Sequence, residues 1–313
     1  MTPDSPVDMQ LWNGRTDPAE GPLATRWHQR IQPVTAAGEH GIALLGFACD
    51  EGVRRNQGRV GASEGPSQLR KALSNLAWHQ ARPVYDAGDV QCADGRLEDA
   101  QARLGACVAA LIEGGQRPLV LGGGHETAWG TWLGLAAAYP DKTIGIVNLD
   151  AHFDLRVADE ASSGTPFKQI ADFCHDNGRA FRYLCLGVAE PSNTQALFER
   201  ARDLKVQWHS DCAMSEAQLP LRLAELQLFA NSVDVLYLTI DLDVLPAAQM
   251  PAVSAPAAYG VPLPVIEAIA VQLAASGRLA AADLVEFNPR FDQDGHGAKT
   301  AARLAWRIAH SWK

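Results

Sequence analysis

The chain has 313 residues, 47% of them hydrophobic, and a formal net charge of −9. That is apolar material for a sizeable core, which argues against disorder. An acidic balance with no basic block or tail disfavours nucleic acid as the main partner. No apolar run reaches a membrane span, and the first 30 residues carry no signal-peptide h-region. Six scattered cysteines without a Cys-x-x-Cys pair predict reduced thiols and a cytoplasmic protein.

Residues 1–35 read as an N-terminal arm with turns such as Asn13-Gly14, and 36–313 as one α/β domain. The first apolar strand is predicted over 41–48. The loop after it, Asp50 to Pro66, holds Arg54, Arg55, Asn56 and Arg59 among several glycines. Such arginines suit bidentate recognition of a carboxylate, but a basic, solvated loop explains them equally well. A helix is predicted over 66–80 and another over 97–114. The strand at 118–122 runs into Gly122-Gly123-Gly124-His125-Glu126, followed by a helix over 126–138. The strand at 143–149 runs into Asp150-Ala151-His152-Phe153-Asp154. A strand over 182–188 precedes Glu190-Pro191-Ser192-Asn193-Thr194 and a helix over 193–204. A weaker strand at 206–209 and a helix over 215–230 lead to the strand at 235–242, which ends in Asp241-Leu242-Asp243. A helix over 263–276, a strand over 281–287 containing Glu286, and a helix over 297–311 complete the chain.

This alternation of strand and helix predicts a mostly parallel sheet with helices on both faces and right-handed crossovers. Ligands of such sheets bind at the carboxyl ends of the strands. Four strands ending in acidic or histidine residues would therefore converge on one crevice. Desolvated carboxylates are costly unless a cation or hydrogen-bond donors compensate them. Taken singly, Asp241 could cap a helix and His125 could be a satisfied core histidine. Taken together, Asp-x-His-x-Asp at one strand end and Asp-x-Asp at another favour divalent metal. His125, Asp150, His152, Asp154, Asp241 and Asp243 suffice for a carboxylate-bridged pair of ions. The triple glycine lacks the dinucleotide fingerprint, which argues against an oxidoreductase.

The motifs resemble those of the ureohydrolase family, which holds arginase, agmatinase and their relatives. The resemblance runs from Gly41 to the C-terminal helix. It rests on Gly-Gly-x-His at 122–125, Asp-Ala-His-x-Asp at 150–154, Asp-x-Asp at 241–243 and Glu-x-Asn-Pro at 286–289, in that order. It implies an arginase-like three-layer α/β/α catalytic domain with two Mn²⁺ per subunit, assembled as a homo-oligomer, a trimer or hexamer. By matching position, His125, Asp150, Asp154 and Asp241 would hold one ion. Asp150, His152, Asp241 and Asp243 would hold the other. Glu286 matches the glutamate that faces the substrate's amidine or guanidine group.

Departures from the family pattern narrow the reading. Ser163 stands where arginases and agmatinases carry a histidine, and Gly123 where many members have an aspartate. Leu245-Pro246 lacks the acidic residue that arginases place before that proline. Arg156 replaces an arginase asparagine that contacts the substrate's carboxylate end. The combination of Asp-Ala-His-Phe-Asp-Leu-Arg, Ser-Ser-Gly-Thr-Pro-Phe, Asp-Val-Leu-Pro-Ala-Ala and the segment 190–194 is similar to that of formimidoylglutamases. Those enzymes hydrolyse N-formimidoyl-L-glutamate to glutamate and formamide in histidine degradation. The resemblance thus implies a small-molecule substrate with carboxylates, met by Arg156, unless Arg156 instead orients Asp154 or Asp150. Arg54 and Arg55 (with Arg59), Ser163 and Asn193 are further candidates. A metal-bridging hydroxide would attack the amidine carbon, Glu286 would favour its protonated form, and Asp154 would carry the proton to the leaving amine. Ser163 cannot serve as the histidine relay of arginases. Two alternatives stand beside this reading. One is hydrolysis of another guanidino compound, such as 4-guanidinobutyrate, agmatine or arginine. The other is a non-catalytic metal- or ligand-binding relative.

Overall fold

The structure, a computed structural model, describes residues 3–5, 7–35 and 38–313. The expected boundary between arm and domain falls at Ala36 and Ala37, outside the described residues. Among the described residues nine strands form one sheet: β1 (Gln32–Pro33), β2 (Ile42–Ala48), β3 (Val84–Gln91), β4 (Arg117–Leu121), β5 (Ile144–Leu149), β6 (Arg182–Val188), β7 (Gln207–Ser210), β8 (Val235–Asp241) and β9 (Leu279–Val285). Their spatial order is β1-β3-β2-β4-β9-β8-β5-β6-β7, and every pairing is parallel. The helices are α1 (Glu51–Arg55), α2 (Gly65–Ser74), α3 (Leu97–Glu113), α4 (Thr127–Ala138), α5 (Pro166–Asp176), α6 (Gln195–Asp203), α7 (Leu219–Asn231), α8 (Leu263–Ala275) and α9 (His296–Ser311).

The central strands are buried along their length, as expected of a parallel sheet covered on both faces. Leu69 and Leu73 of α2, Leu226 and Phe229 of α7, Ile269 of α8 and Leu304 of α9 join one apolar cluster with Val147, Leu149 and Leu238. On the other face Trp132 of α4, Phe167 and Ile170 of α5 and Leu197 of α6 pack with Ile144, Ile146 and Tyr237. Alternate residues of β5 thus feed opposite faces of an α/β/α sandwich. No helix among the described residues is long and apolar enough to cross a membrane.

Four elements go beyond the expected set: β1, β3, α1 and α5. Strand β3 hides because Asp86, Gly88 and Asp89 interrupt its apolar pattern. Asp86 is fully buried there, held by Arg70 Nε at 2.8 Å and Trp12 Nε1 at 2.7 Å. The N-terminal segment packs onto the body through buried Trp12 and Trp27, whose rings stack at 6.5 Å. The helix expected over 66–80 stops at Ser74, and Asn75 caps its end.

Candidate active site

Strands β4 and β5 are consecutive among the central strands of the chain, yet β9 and β8 lie between them. The carboxyl ends of β4, β9, β8 and β5 therefore sit side by side, and each delivers polar residues into the crevice above them. The turn after β4 brings His125, β5 brings Asp150, His152 and Asp154, β8 brings Asp241 and Asp243, and β9 brings Glu286. His125 Nδ1 lies 3.1 Å from Asp150 Oδ2, 2.9 Å from Asp154 Oδ2 and 3.2 Å from Asp241 Oδ2. A second group forms at His152 Nδ1, with Asp243 Oδ2 at 3.0 Å and Asp150 Oδ1 at 3.6 Å. Asp150 thus offers one oxygen to each imidazole. Asp241 gives Oδ2 to the first group, while its Oδ1 accepts the Asp243 N–H at 2.9 Å.

The backbone is bent to make this possible. Asp154 and Glu286 both hold positive φ, 47° and 69°, a region that non-glycine residues occupy at a cost and mainly where function requires it. The triple glycine has a simpler cause. A Cβ on Gly123 would stand 1.6 Å from the Cys49 carbonyl oxygen, which itself accepts the Gly124 N–H at 3.0 Å. Gly123 is therefore dictated by contact between two backbones, and an aspartate there would displace the turn that carries His125.

The electrostatics of the cluster call for cations. Burial drives the Asp241 carboxyl well above its ordinary range, and the charges of Asp243 and Asp150 push it further. Burial opposes a charge on His125, but the close carboxylates of Asp150, Asp154 and Asp241 prevail and raise the imidazole well above its usual value. Left to themselves these groups retain protons. His125 Nε2 sits 3.0 Å from Thr239 Oγ1, which leaves Nδ1 for the carboxylates. That Nδ1 is buried and makes no hydrogen bond of acceptable geometry. An imidazole nitrogen and three carboxylate oxygens converging on one point fit a divalent cation, and the His152 group fits a second one.

Glu286 stands over this cluster. Its Oε1 accepts the His125 N–H at 2.8 Å, and Oε2 is without a partner among the described residues. Burial raises its carboxyl well above the ordinary range, and neighbouring Glu126 adds to the effect. Glu126 is itself buried and pushed up to about 7. Its Oε1 accepts the Gly52 N–H at 2.9 Å, tying α1 to the His125 turn.

The cleft offers about 90 Å³ of water-accessible space. Arg156 and Ser163 line it with the metal-type residues and Glu286. Among the described residues no carboxylate pairs with Arg156, whose side chain lies over Gly164. Asn193 reaches the cleft as well, but its amide is consumed by backbone. It accepts from Phe153 N–H and donates to the Ala151 and Ala189 carbonyls. Arg54 and Arg55 do not line the cleft. Arg54 pairs with Glu51, and Arg55 with Glu51 and Glu98. Arg59 donates to the Pro251, Val253 and Ser254 carbonyls and lies over the Phe291 ring at 3.9 Å, so it clamps a loop instead. Sequence reasoning missed Asn56 and Ser254 in the wall. Asn56 donates to Ser163 Oγ at 3.1 Å. Only the fold joins residues so far apart in the chain.

The model of the arginase family matches residues 40–310. The chain belongs to the arginase family. Among curated relatives it is 65% identical to a formimidoylglutamase of Chromobacterium violaceum, over 97% of this chain and 98% of that one. It is 57% identical to one of Aeromonas hydrophila, with 97% and 98% covered. A solved formimidoylglutamase of Bacillus subtilis superposes with a TM-score of 0.84 at 22% identity, covering 95% of this chain and 93% of that one. A Trypanosoma cruzi formiminoglutamase solved with Mn²⁺ gives 0.78 at 24% identity, with 87% and 93% covered. These two share the arginase-family fold seen here. A backbone contact dictates Gly123, and Ser163 accepts a hydrogen bond from Asn56.

Proposed function

We propose that this arginase-family chain hydrolyses N-formimidoyl-L-glutamate to L-glutamate and formamide at a dinuclear manganese site. The observation that carries it is the meeting of the two His–Asp groups with Arg156, an arginine without a carboxylate partner among the described residues, in the same cleft. High identity over nearly full length to proteins named formimidoylglutamase supports the substrate. The manganese in the Trypanosoma cruzi protein supports the metal.

His125, Asp150, Asp154 and Asp241 would hold one ion, and Asp150, His152 and Asp243 would hold the other. When bound, two divalent ions make a water acidic enough to attack an amidine carbon near neutral pH. Glu286 would pair its free Oε2 with the cationic amidine, which makes the carbon more electrophilic. It keeps Oε1 on the His125 amide, so the carboxylate is held in one orientation. Asp154 lines the cleft and engages His125 through Oδ2. We assign to its Oδ1 the proton that the attacking water gives up and that then passes to the departing glutamate nitrogen. Arg156 would bind a substrate carboxylate. Ser163 accepts from Asn56, so its own hydroxyl proton is free to point at the substrate. Arg54 and Arg55 would act only indirectly, by fixing α1. Cytoplasmic residence fits six unpaired cysteines. Assembly into a trimer or hexamer fits exposed Leu221 and Leu228 on α7, seven residues apart on one helix face, and light scattering of the purified protein checks it.

The test is a substrate panel on Mn²⁺-loaded protein: N-formimidoyl-L-glutamate, arginine, agmatine and 4-guanidinobutyrate. Release of formamide and glutamate from the first alone is expected. Urea from a guanidino compound would overturn the substrate, and silence on all four with two ions bound would overturn catalysis.

A further inference from the structure

Strand β5 carries a polar residue that nothing in the proposed reaction uses. Asn148 lies on the same face as Ile144 and Ile146, which pack in an apolar cluster with Tyr183 and Tyr237. It is fully buried. Its Nδ2 donates to Asp150 Oδ2 at 2.9 Å and to Tyr183 Oη at 2.9 Å. The Tyr183 hydroxyl donates in turn to the Phe153 carbonyl at 3.0 Å. Asn148 Oδ1 has no partner among the described residues. Turning the amide over would set a carbonyl oxygen against the Asp150 carboxylate and lose the hydrogen bond that holds it. The hydrogen-bond inventory therefore admits one orientation.

A buried amide with an orphaned oxygen is a liability where a hydrophobic residue would pack. Its compensation lies in what the nitrogen holds. Asp150 is the carboxylate shared between the two groups, with Oδ2 toward His125 and Oδ1 toward His152. Oδ1 is fixed by the His152 N–H at 2.6 Å, and Oδ2 is fixed by Asn148. We infer that Asn148 is a positioning residue for the metal site. Through its two N–H groups it sets the plane of the Asp150 carboxylate and, by way of Tyr183, the height of the Phe153 peptide just before Asp154. One side chain thereby registers the shared ligand against the loop that carries the next one. Outer partners of this kind orient metal ligands, and losing one typically weakens metal binding 10- to 100-fold.

This rests on the two-ion reading above, and its readout is metal binding, independent of any substrate. Purified wild type, Asn148→Leu and Tyr183→Phe are stripped of metal, checked by circular dichroism and thermal melting, and titrated with Mn²⁺ by calorimetry. Asn148→Leu keeps size and burial but removes both donors. A loss of roughly 10- to 100-fold in Mn²⁺ affinity is expected, with the metal-free melting temperature unchanged or raised. Tyr183→Phe leaves the Asp150 hydrogen bond and frees only the far end of the amide, so a smaller loss is expected. Wild-type affinity in Asn148→Leu overturns the inference. Should Asn148→Leu not fold, wild-type affinity in Tyr183→Phe overturns it equally. A wild-type protein that binds no Mn²⁺ overturns this inference together with the reading it rests on, whereas two ions bound without turnover of formimidoylglutamate overturns only the substrate.

Discussion

Replacing Glu286 by glutamine separates charge from shape in the substrate site. The glutamine carbonyl can still accept the His125 N–H that Oε1 accepts at 2.8 Å, so the backbone of the turn is retained. What disappears is the negative charge facing the cationic amidine. Two unit charges ~4 Å apart at an effective dielectric of ~20 interact by about 4 kcal/mol. Glutamine keeps a dipole in the same place, so a net loss of about 2 to 3 kcal/mol is expected. That corresponds to a fall of roughly 30- to 150-fold in kcat/KM. The assay is formamide release from N-formimidoyl-L-glutamate with metal content measured on the same samples. A fall below about 3-fold, with both ions still bound, would refute the assignment of Glu286 to the amidine.

Three further predictions follow from other parts of the molecule. Arg156→Ala removes a guanidinium that lines the cleft without a protein partner; KM should rise by roughly 5- to 30-fold with kcat nearly unchanged, because the lost contact binds ground and transition states alike, and an unchanged KM would contradict its role. Metal affinity should strengthen as pH rises: in the metal-free cluster the His125 imidazole and the Asp241 carboxyl titrate well above their usual values, so at neutral pH the incoming ion displaces protons. Mn²⁺ titrations at about pH 6 and about pH 8 in buffers of different ionisation enthalpy check this, and equal affinities with no proton release would contradict it. Arg70→Ala strands Asp86, which is fully buried and bonded to Arg70 through both carboxylate oxygens; urea unfolding should show a loss of about 3 to 5 kcal/mol, and a loss below about 1 kcal/mol would show that Trp12 and the Gly88 amide suffice.

The fold was legible wherever apolar strands ran uninterrupted into a functional turn. Strands β4, β5, β8 and β9 each end in a short motif, so the His125, Asp150–Asp154, Asp241–Asp243 and Glu286 positions could be named together before their distances were known. Strand β3 was not legible, because Asp86 reads as a breaker until Arg70 and Trp12 are seen to neutralise it. Side-chain partners were the other blind spot. Arg54 and Arg55 lie close to the site in sequence, but Glu51 and Glu98 claim them. Asn193 has the right chemistry for a ligand, but three backbone groups use its amide. Asn56 meets Ser163 across 107 residues of chain, a contact that spacing alone does not encode. Asn148 did leave a trace, an amide in the middle of an apolar strand two residues before the first aspartate, though its meaning depends on Tyr183 arriving from the neighbouring strand β6.

The measurement that bears most directly on the whole account is turnover of N-formimidoyl-L-glutamate as a function of Mn²⁺ bound per chain, beginning from metal-free protein. The account predicts no turnover without metal and full release of formamide and glutamate only as the second ion is bound. Full turnover in metal-free protein, or a rate that saturates at one ion per chain, would contradict it.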